Sequence, residues 1–293
     1  MLAFLLLQSC ASNDRADASR HRLMQSIVRR VAAGRVAETP EGLFRDGLLL
    51  CSSGRFPAAA AEKFETAIAL GHTASRAELA WILIQKDPRV AAFNAARAFR
   101  LAEAGSRLGC FHSRGVLACC YAEGRGCEAD YARAMMLASE SASAGCRYGQ
   151  YVLGSLHDDP PKPGIECNFA TAAAHYRLAA AQQLDVAQWK LGYIYAYGYS
   201  GVINRDDAEA LHWYKQAADQ GHSSSCFQVA MYYEQGLSVP VDVAEAVRWY
   251  MYTQAFSAFF VCDSLNMYKR ALEGGVLKAS VALRRLGVVA TTR

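Results

Sequence analysis

Five residues of one short stretch, Cys110, His112, Cys119, Cys120 and Cys127, are of the types that hold metals or attack electrophiles. A structural zinc site gathers Cys and His pairs spaced by two to four residues into a tetrahedron. Cys119 and Cys120 are adjacent instead, so on a helix their side chains diverge by about 100°. A second stretch, His157-Asp158-Asp159-Pro160-Pro161, sets two acids beside a histidine, but Asp and Pro in that order are the chemistry of a turn. The other histidines are scattered: His175 replaces a core aromatic, and His72 and His222 follow helix stops. There is no Gly-rich phosphate loop, no nucleophile elbow and no Glu-x-x-His pattern. The chain therefore predicts no catalytic residue, no metal and no cofactor. A hydrolase or metal-binding protein working through the cysteine-rich stretch is the remote alternative.

The elements that carry these residues are written as a repeat. Asp130, Asn168, Asp206 and Asp242 are separated by 38, 38 and 36 residues, and each is a type that caps a helix N-terminus. Four residues on stand Ala134, Ala172, Ala210 and Ala246; seven and eight on stand Leu137-Ala138, His175-Tyr176, Trp213-Tyr214 and Trp249-Tyr250. Those positions share one helical face, small residues admitting a neighbouring helix and large ones filling the space beside it. Fifteen residues past each cap come Gly145, Gln183, Gly221 and Ser257, of which the glycines suit a left-handed stop. A second pattern then begins, with the large-small pairs Leu117-Ala118, Leu153-Gly154, Leu191-Gly192 and Val229-Ala230, followed three residues later by Tyr121, His157, Tyr195 and Tyr233. Gly124, Gly198 and Gly236 open the turn to the next cap. The unit is helix-turn-helix, 36–38 residues long, and repeats of that period stack into solenoids. Weaker copies run upstream, one with Leu79-Ala80, a cap at Asp87-Pro88 and an end at Gly105, and an earlier one closing at Gly71-His72.

Bulk properties agree. Of 293 residues, 53% are hydrophobic and 20% charged, and Pro occurs only 7 times, which favours ordered helix. No run approaches the roughly 20 apolar residues of a spanning helix, so no transmembrane segment is expected. The net charge is +4; six arginines against Asp14, Asp17 and Glu38 place +3 of it in residues 1–40. A nearly neutral body lacks the basic stripe that nucleic-acid binding needs. The opening MLAFLLLQSC is a poor signal sequence, and the Arg-rich SRHRLMQSIVRRVAAGR resembles a mitochondrial presequence weakened by Asp14 and Asp17. An ordinary terminus and a cytoplasmic location are expected, with mitochondrial or secretory placement as alternatives. The 10 cysteines occupy positions where neighbouring units put Ala, Ser or Gly, and read as buried small residues.

The stretch LGYIYAYGYSGVINRDDAEALHWYKQAADQGH resembles a full Sel-one-like repeat, with its Leu-Gly, Tyr, paired Gly, Asp, Ala, Trp-Tyr, Ala-Ala and Gly-His. The likeness is clear over 110–257 and weak over 42–109; the third unit lacks the aromatic pair, and the fourth has His157 for Tyr and Gln183 for Gly. The resemblance implies an all-α right-handed solenoid of about six tetratricopeptide-like units over 42–293, after a basic segment at 1–41. The 18-residue spacing of Tyr250 and Tyr268, five helical turns, predicts one long helix over 242–273, with a break near Cys262-Asp263 as the alternative, and a C-terminal capping helix after it. The resemblance also implies adaptor or scaffold function, and it leaves room for a disulfide between neighbouring helices, Cys127 or Cys110 with Cys146.

In such a solenoid the first helix of each unit lines the concave wall. Positions two before the large residue and one after the small one then face inward. Trp81, Tyr151, Trp189, Tyr193, Tyr197, Phe227 and Met231 form an aromatic track there, the type of surface that anchors a partner. The expected function is non-catalytic binding of a protein or peptide. The alternative is a mitochondrial or endoplasmic-reticulum assembly or quality-control factor with some paired cysteines.

Overall fold

The computed structural model describes residues 39–52, 57–85, 94–158, 163–199 and 201–256. They form twelve helices: α1 (Pro40–Ser52), α2 (Pro57–Ala69), α3 (Ser75–Ile84), α4 (Ala95–Arg107), α5 (Phe111–Glu123), α6 (Tyr131–Ser143), α7 (Arg147–His157), α8 (Phe169–Ala181), α9 (Asp185–Tyr197), α10 (Asp207–Asp219), α11 (Ser223–Gln235) and α12 (Val243–Phe256). Consecutive helices pair as α1/α2 through α11/α12, six units in all among the described residues. Among the described residues β structure is confined to isolated bridges, one of them between Tyr199 and Ile203. The expected basic segment at 1–41 lies outside the described residues up to 38, and the expected long helix beyond 256 and capping helix fall wholly outside them.

The four caps of the regular repeats each account for a helix start. The side chains of Asp130, Asn168, Asp206 and Asp242 accept from the N–H groups of Arg133, Thr171, Glu209 and Glu245 at 2.9–3.1 Å. The caps' own N–H groups donate back to the carbonyls of Tyr121, His157, Tyr195 and Tyr233, so the same register ties both helices of a unit together. Two upstream boundaries differ from the sequence reading. α4 is capped by Asn94, whose Oδ1 accepts from Arg97 N, and not by Asp87, which lies outside the described residues. Gly105 sits inside α4, where a Cβ would stand 2.0 Å from the Ser113 hydroxyl; the left-handed stop is Gly109. A glycine admitting a close neighbour and a glycine ending a helix look alike in sequence.

Packing within the units turns on one contact. Gly154 in α7 and Gly192 in α9 lie so close to Tyr176 and Tyr214 that a Cβ would come within 2.8 and 2.5 Å of those rings, and Gly47 in α1 faces Phe64 in the same way. Tyr148, Tyr176, Tyr214, Tyr250 and Phe64 are the largest fully buried side chains. The first helices α3, α5 and α7 also approach one another directly, whereas the second helices pack mainly on first helices, α2 and α4 meeting through the Glu65–Arg97 ion pair at 2.8 Å. The first helices therefore line the inner, shorter side of the stack. One buried cluster runs unbroken from Ala60 to Ile194; two smaller ones hold α10/α11 and α11/α12 together.

Candidate protein-interaction face

The seven inner-face aromatic and apolar residues fall into three groups. Trp81 is 7% exposed, its ring 4.6 Å from Tyr148 and 6.0 Å, edge-on, from Tyr151. Tyr151, half-buried, also packs on Tyr176 at 5.9 Å. These two belong to the core, because the intervening helix α5 presents Gly115 and Cys119 and lets α3 and α7 close over it. Gly115 has no room for a Cβ, which would sit 2.7–2.8 Å from Gly149 N, the Ser141 hydroxyl and Tyr148 Cβ.

The second group is a ladder on α9. Trp189, Tyr193 and Tyr197 recur every four residues on one face, with centroids 6.2 and then 4.7 Å apart. Trp189 is partly buried against His222 at 5.6 Å, Tyr193 is 48% exposed and Tyr197 65%. Asp185 begins the helix one turn before Trp189. The third group, Phe227 and Met231 on α11, is half-buried against Ala230, Ala246 and Tyr250, Phe227 meeting Tyr250 edge-on at 5.5 Å. The exposed track is thus shorter than its sequence signature: it is the α9 ladder, with Phe227 and Met231 as a flanking shelf.

Two polar clusters that no sequence motif signals brace this face. Arg147 Nη2 donates to both carboxylate oxygens of Glu78, 69 residues away, at 3.0 and 2.9 Å, and the Tyr148 hydroxyl donates to Oε2 at 2.8 Å. The pair is largely buried and spans two units. The second cluster centres on Asp158, whose carboxylate accepts from Tyr176 Oη (2.8 Å), Lys190 Nζ (2.9 Å) and Tyr199 Oη. Burial acts to raise the Asp158 carboxyl, but the bonds from Tyr199, Lys190 and Tyr176 outweigh it and hold it below the usual range. The acid beside His157 is therefore a tie between α7, α8 and α9.

The cysteine-rich stretch gathers no metal site: among the described residues no three His, Cys, Asp or Glu side chains converge as metal ligands. All eight described cysteines are free thiols, including Cys110, Cys127 and Cys146, so neither of the alternative pairings with Cys146 is formed. Cys119 and Cys120 are buried, and burial drives Cys119 far up and Cys120 to about 12. Cys110, half-exposed at the start of α5, differs. Burial acts to raise it, but hydrogen bonds from His112 and Ser113 bring it down to about 7, while the bond to Cys110 lifts His112.

A family model of the Sel1 repeat matches residues 102–146, 147–184, 185–222 and 223–250. The chain belongs to the Sel1 repeat family. Proteins of this family are generally protein-interaction scaffolds. Among similar proteins are a chitin synthase regulator of Malassezia restricta, 35% identical over 75 residues (26% of this chain, 5% of that protein). A protein of Neisseria meningitidis serogroup B is 32% identical over 122 residues, 41% of this chain and 23% of that protein. Chitin synthase regulatory factor 3 of Schizosaccharomyces pombe is 33% identical over 76 residues (26% and 8%). The chain thus spans less than a quarter of the length of these curated relatives. A Sel1 repeat protein from Oxalobacter formigenes has a similar solved structure, with 23% identity, a TM-score of 0.49, and 70% of this chain and 84% of that one covered. Among the described residues no helix is long and apolar enough to cross a membrane.

Proposed function

We propose that this Sel1 repeat chain is a non-catalytic scaffold that holds a peptide or partner protein against the inner face of its downstream units. The observation that carries the reading is the α9 ladder, three aromatic rings on successive turns whose exposure rises along the helix. Large rings in water at a solenoid's inner wall are costly unless a partner covers them, and such rings dominate binding energy at interfaces. The names of two relatives, regulators of chitin synthase, suit a scaffold acting through a partner enzyme, which is the finer form of the proposal. The test is affinity capture from the native cell with wild type and Trp189→Ala/Tyr193→Ala/Tyr197→Ala, after circular dichroism shows equal helix content. One coherent set of partners lost with the triple variant supports the reading. An unchanged set overturns it.

A further inference from the structure

Aligning the units by their small inner-helix residue exposes a gap in one of them. The fourth and sixth units place an acid four residues after that residue, Asp158 and Glu234, and each accepts from the buried tyrosine of its second helix, Tyr176 at 2.8 Å and Tyr250 at 3.1 Å. In the fifth unit the acid position is Ala196. Its tyrosine, Tyr214, is 0% exposed and its hydroxyl has no hydrogen-bond partner. A buried hydroxyl left unpaired costs about 1–3 kcal/mol, so it calls for an explanation. The first three units avoid the problem because Phe64, Ala102 and Ala138 stand in the tyrosine register without a hydroxyl. The electrostatic neighbours of Tyr214 are Tyr232 and the exposed Tyr197 and Tyr193, which places the hydroxyl under the end of the α9 ladder.

The missing acceptor has a definable chemistry. Around Asp158 the negative charge is balanced by Lys190, from the first helix of the next unit. The residue in that register for the fifth unit is Gln228, a neutral side chain, and Leu237 replaces Tyr199. The surroundings are acidic: residues 185–256 hold eight Asp and Glu against Lys190, Arg205, Lys215 and Arg248, a net −4. A second carboxylate would enter there without a counter-charge, whereas an amide carbonyl needs none. The same chain already pairs amides at neighbouring positions, Gln182 with Gln150 at 2.7 Å and Gln220 with Gln188 at 2.6 Å.

Resting on the scaffold reading, we propose that the fifth unit contains an amide-recognition site in which Tyr214 and Gln228 receive an asparagine or glutamine side chain of a neutral-to-basic partner segment lying along Trp189, Tyr193 and Tyr197. Ala196 stands where Asp158 and Glu234 stand in the flanking units and offers no acceptor, and the exposed Tyr197 lies next to it in the chain. The Tyr214 hydroxyl donates to the partner's carbonyl; the partner's NH₂ group donates to the Gln228 carbonyl. The net charge of 185–256 then selects the basic residues that flank the amide.

The test uses the full chain labelled with 3-fluorotyrosine, with the Tyr214 resonance assigned by its loss in Tyr214→Phe. N-acetylglutamine methylamide and N-acetylglutamate methylamide are titrated in turn. The expected result is a saturable shift of the Tyr214 resonance with the glutamine probe alone, abolished in Ala196→Glu, which restores the acid of the neighbouring units. In thermal melts, Tyr214→Phe keeps the wild-type Tm, whereas Tyr176→Phe falls by about 4 °C or more. No saturable shift, an equal response to the glutamate probe, or a Tm loss in Tyr214→Phe matching that of Tyr176→Phe overturns the site. Because the probes require no partner, their failure is distinct from an unchanged capture in the ladder variant.

Discussion

Trp81 and Tyr193 occupy the same register, one residue after the small member of their inner helix, yet Trp81 is 7% exposed and Tyr193 48%. The difference lies in the helix next door. Upstream, α5 offers Gly115 and Cys119 in the inner positions, so α3 and α7 close across it, Trp81 meets Tyr148, and Glu78 reaches Arg147 two units away. Downstream, α9 itself carries Trp189 and Tyr193 in those positions, and α7, α9 and α11 do not approach one another as α3, α5 and α7 do. One register thus builds a core or a binding face, depending on the size of the residues that share the wall.

The comparison breaks most visibly at Trp81. Trp81→Ala should cost about 3–5 kcal/mol, whereas Tyr193→Ala should cost less than about 1 kcal/mol, read as shifts in urea midpoint. Equal losses would mean that both rings are core. Glu78→Ala strands the Arg147 guanidinium and should cost about 2–4 kcal/mol; Glu78→Gln should recover part of it by retaining an acceptor for Tyr148.

The Asp158 tie marks the seam between the two regions and is sensitive to acid. Its carboxyl is held below its ordinary value near 4, so the stability it adds is complete above that value and disappears as pH falls through the lower folded value. Asp158→Asn should therefore be less stable than wild type at pH 7 and lose that deficit towards pH 2. A deficit of equal size at both pH values would show that only packing had been lost.

Among the described left-handed stops of the second helices Gln183 is the one non-glycine, held at φ +59° where Gly71, Gly109, Gly145 and Gly221 take φ of +76° to +92°. Gln183→Gly should stabilise the seam between α8 and α9 by about 0.5–1 kcal/mol, less the weak bond from Gln188 at 3.4 Å. The smallest effect on folding, and the sharpest chemical one, belongs to Cys110. Its alkylation by iodoacetamide should rise to half its limiting rate near pH 7, as followed by peptide mapping, while Cys51 and Cys120, pushed up to about 12 by burial, lag far behind at the same pH.

Most of the solenoid could be read from the chain because a cap, a stop and a glycine facing a tyrosine are local devices repeated at fixed spacing. Asp130, Asn168, Asp206 and Asp242 all cap as their types require. Asn94 was missed because Asp87-Pro88 offers the same cap chemistry seven residues earlier. The inner face was legible as a set of positions but not as a surface. Whether Trp81 is wet depends on Gly115, a residue 34 positions away on another helix. The Glu78–Arg147 pair, 69 residues apart, carries no periodic signal at all. The role of Asp158 becomes visible only when Lys190 and Tyr199 are seen to share it.

The contact that skips a unit also changes how the molecule would yield to force. A solenoid whose units touch only their neighbours unzips one pair at a time from a loaded end. Here the bridge from Glu78 and Trp81 to Arg147, Tyr148 and Tyr151 fastens the second, third and fourth units into a single clasp. Beyond α9, whose Leu191 and Ile194 still belong to the main cluster, α10, α11 and α12 are held by smaller, separate clusters. Pulled by its ends, the protein would give way in small steps from the downstream side, extending like a soft spring, until the clasp released in one long step.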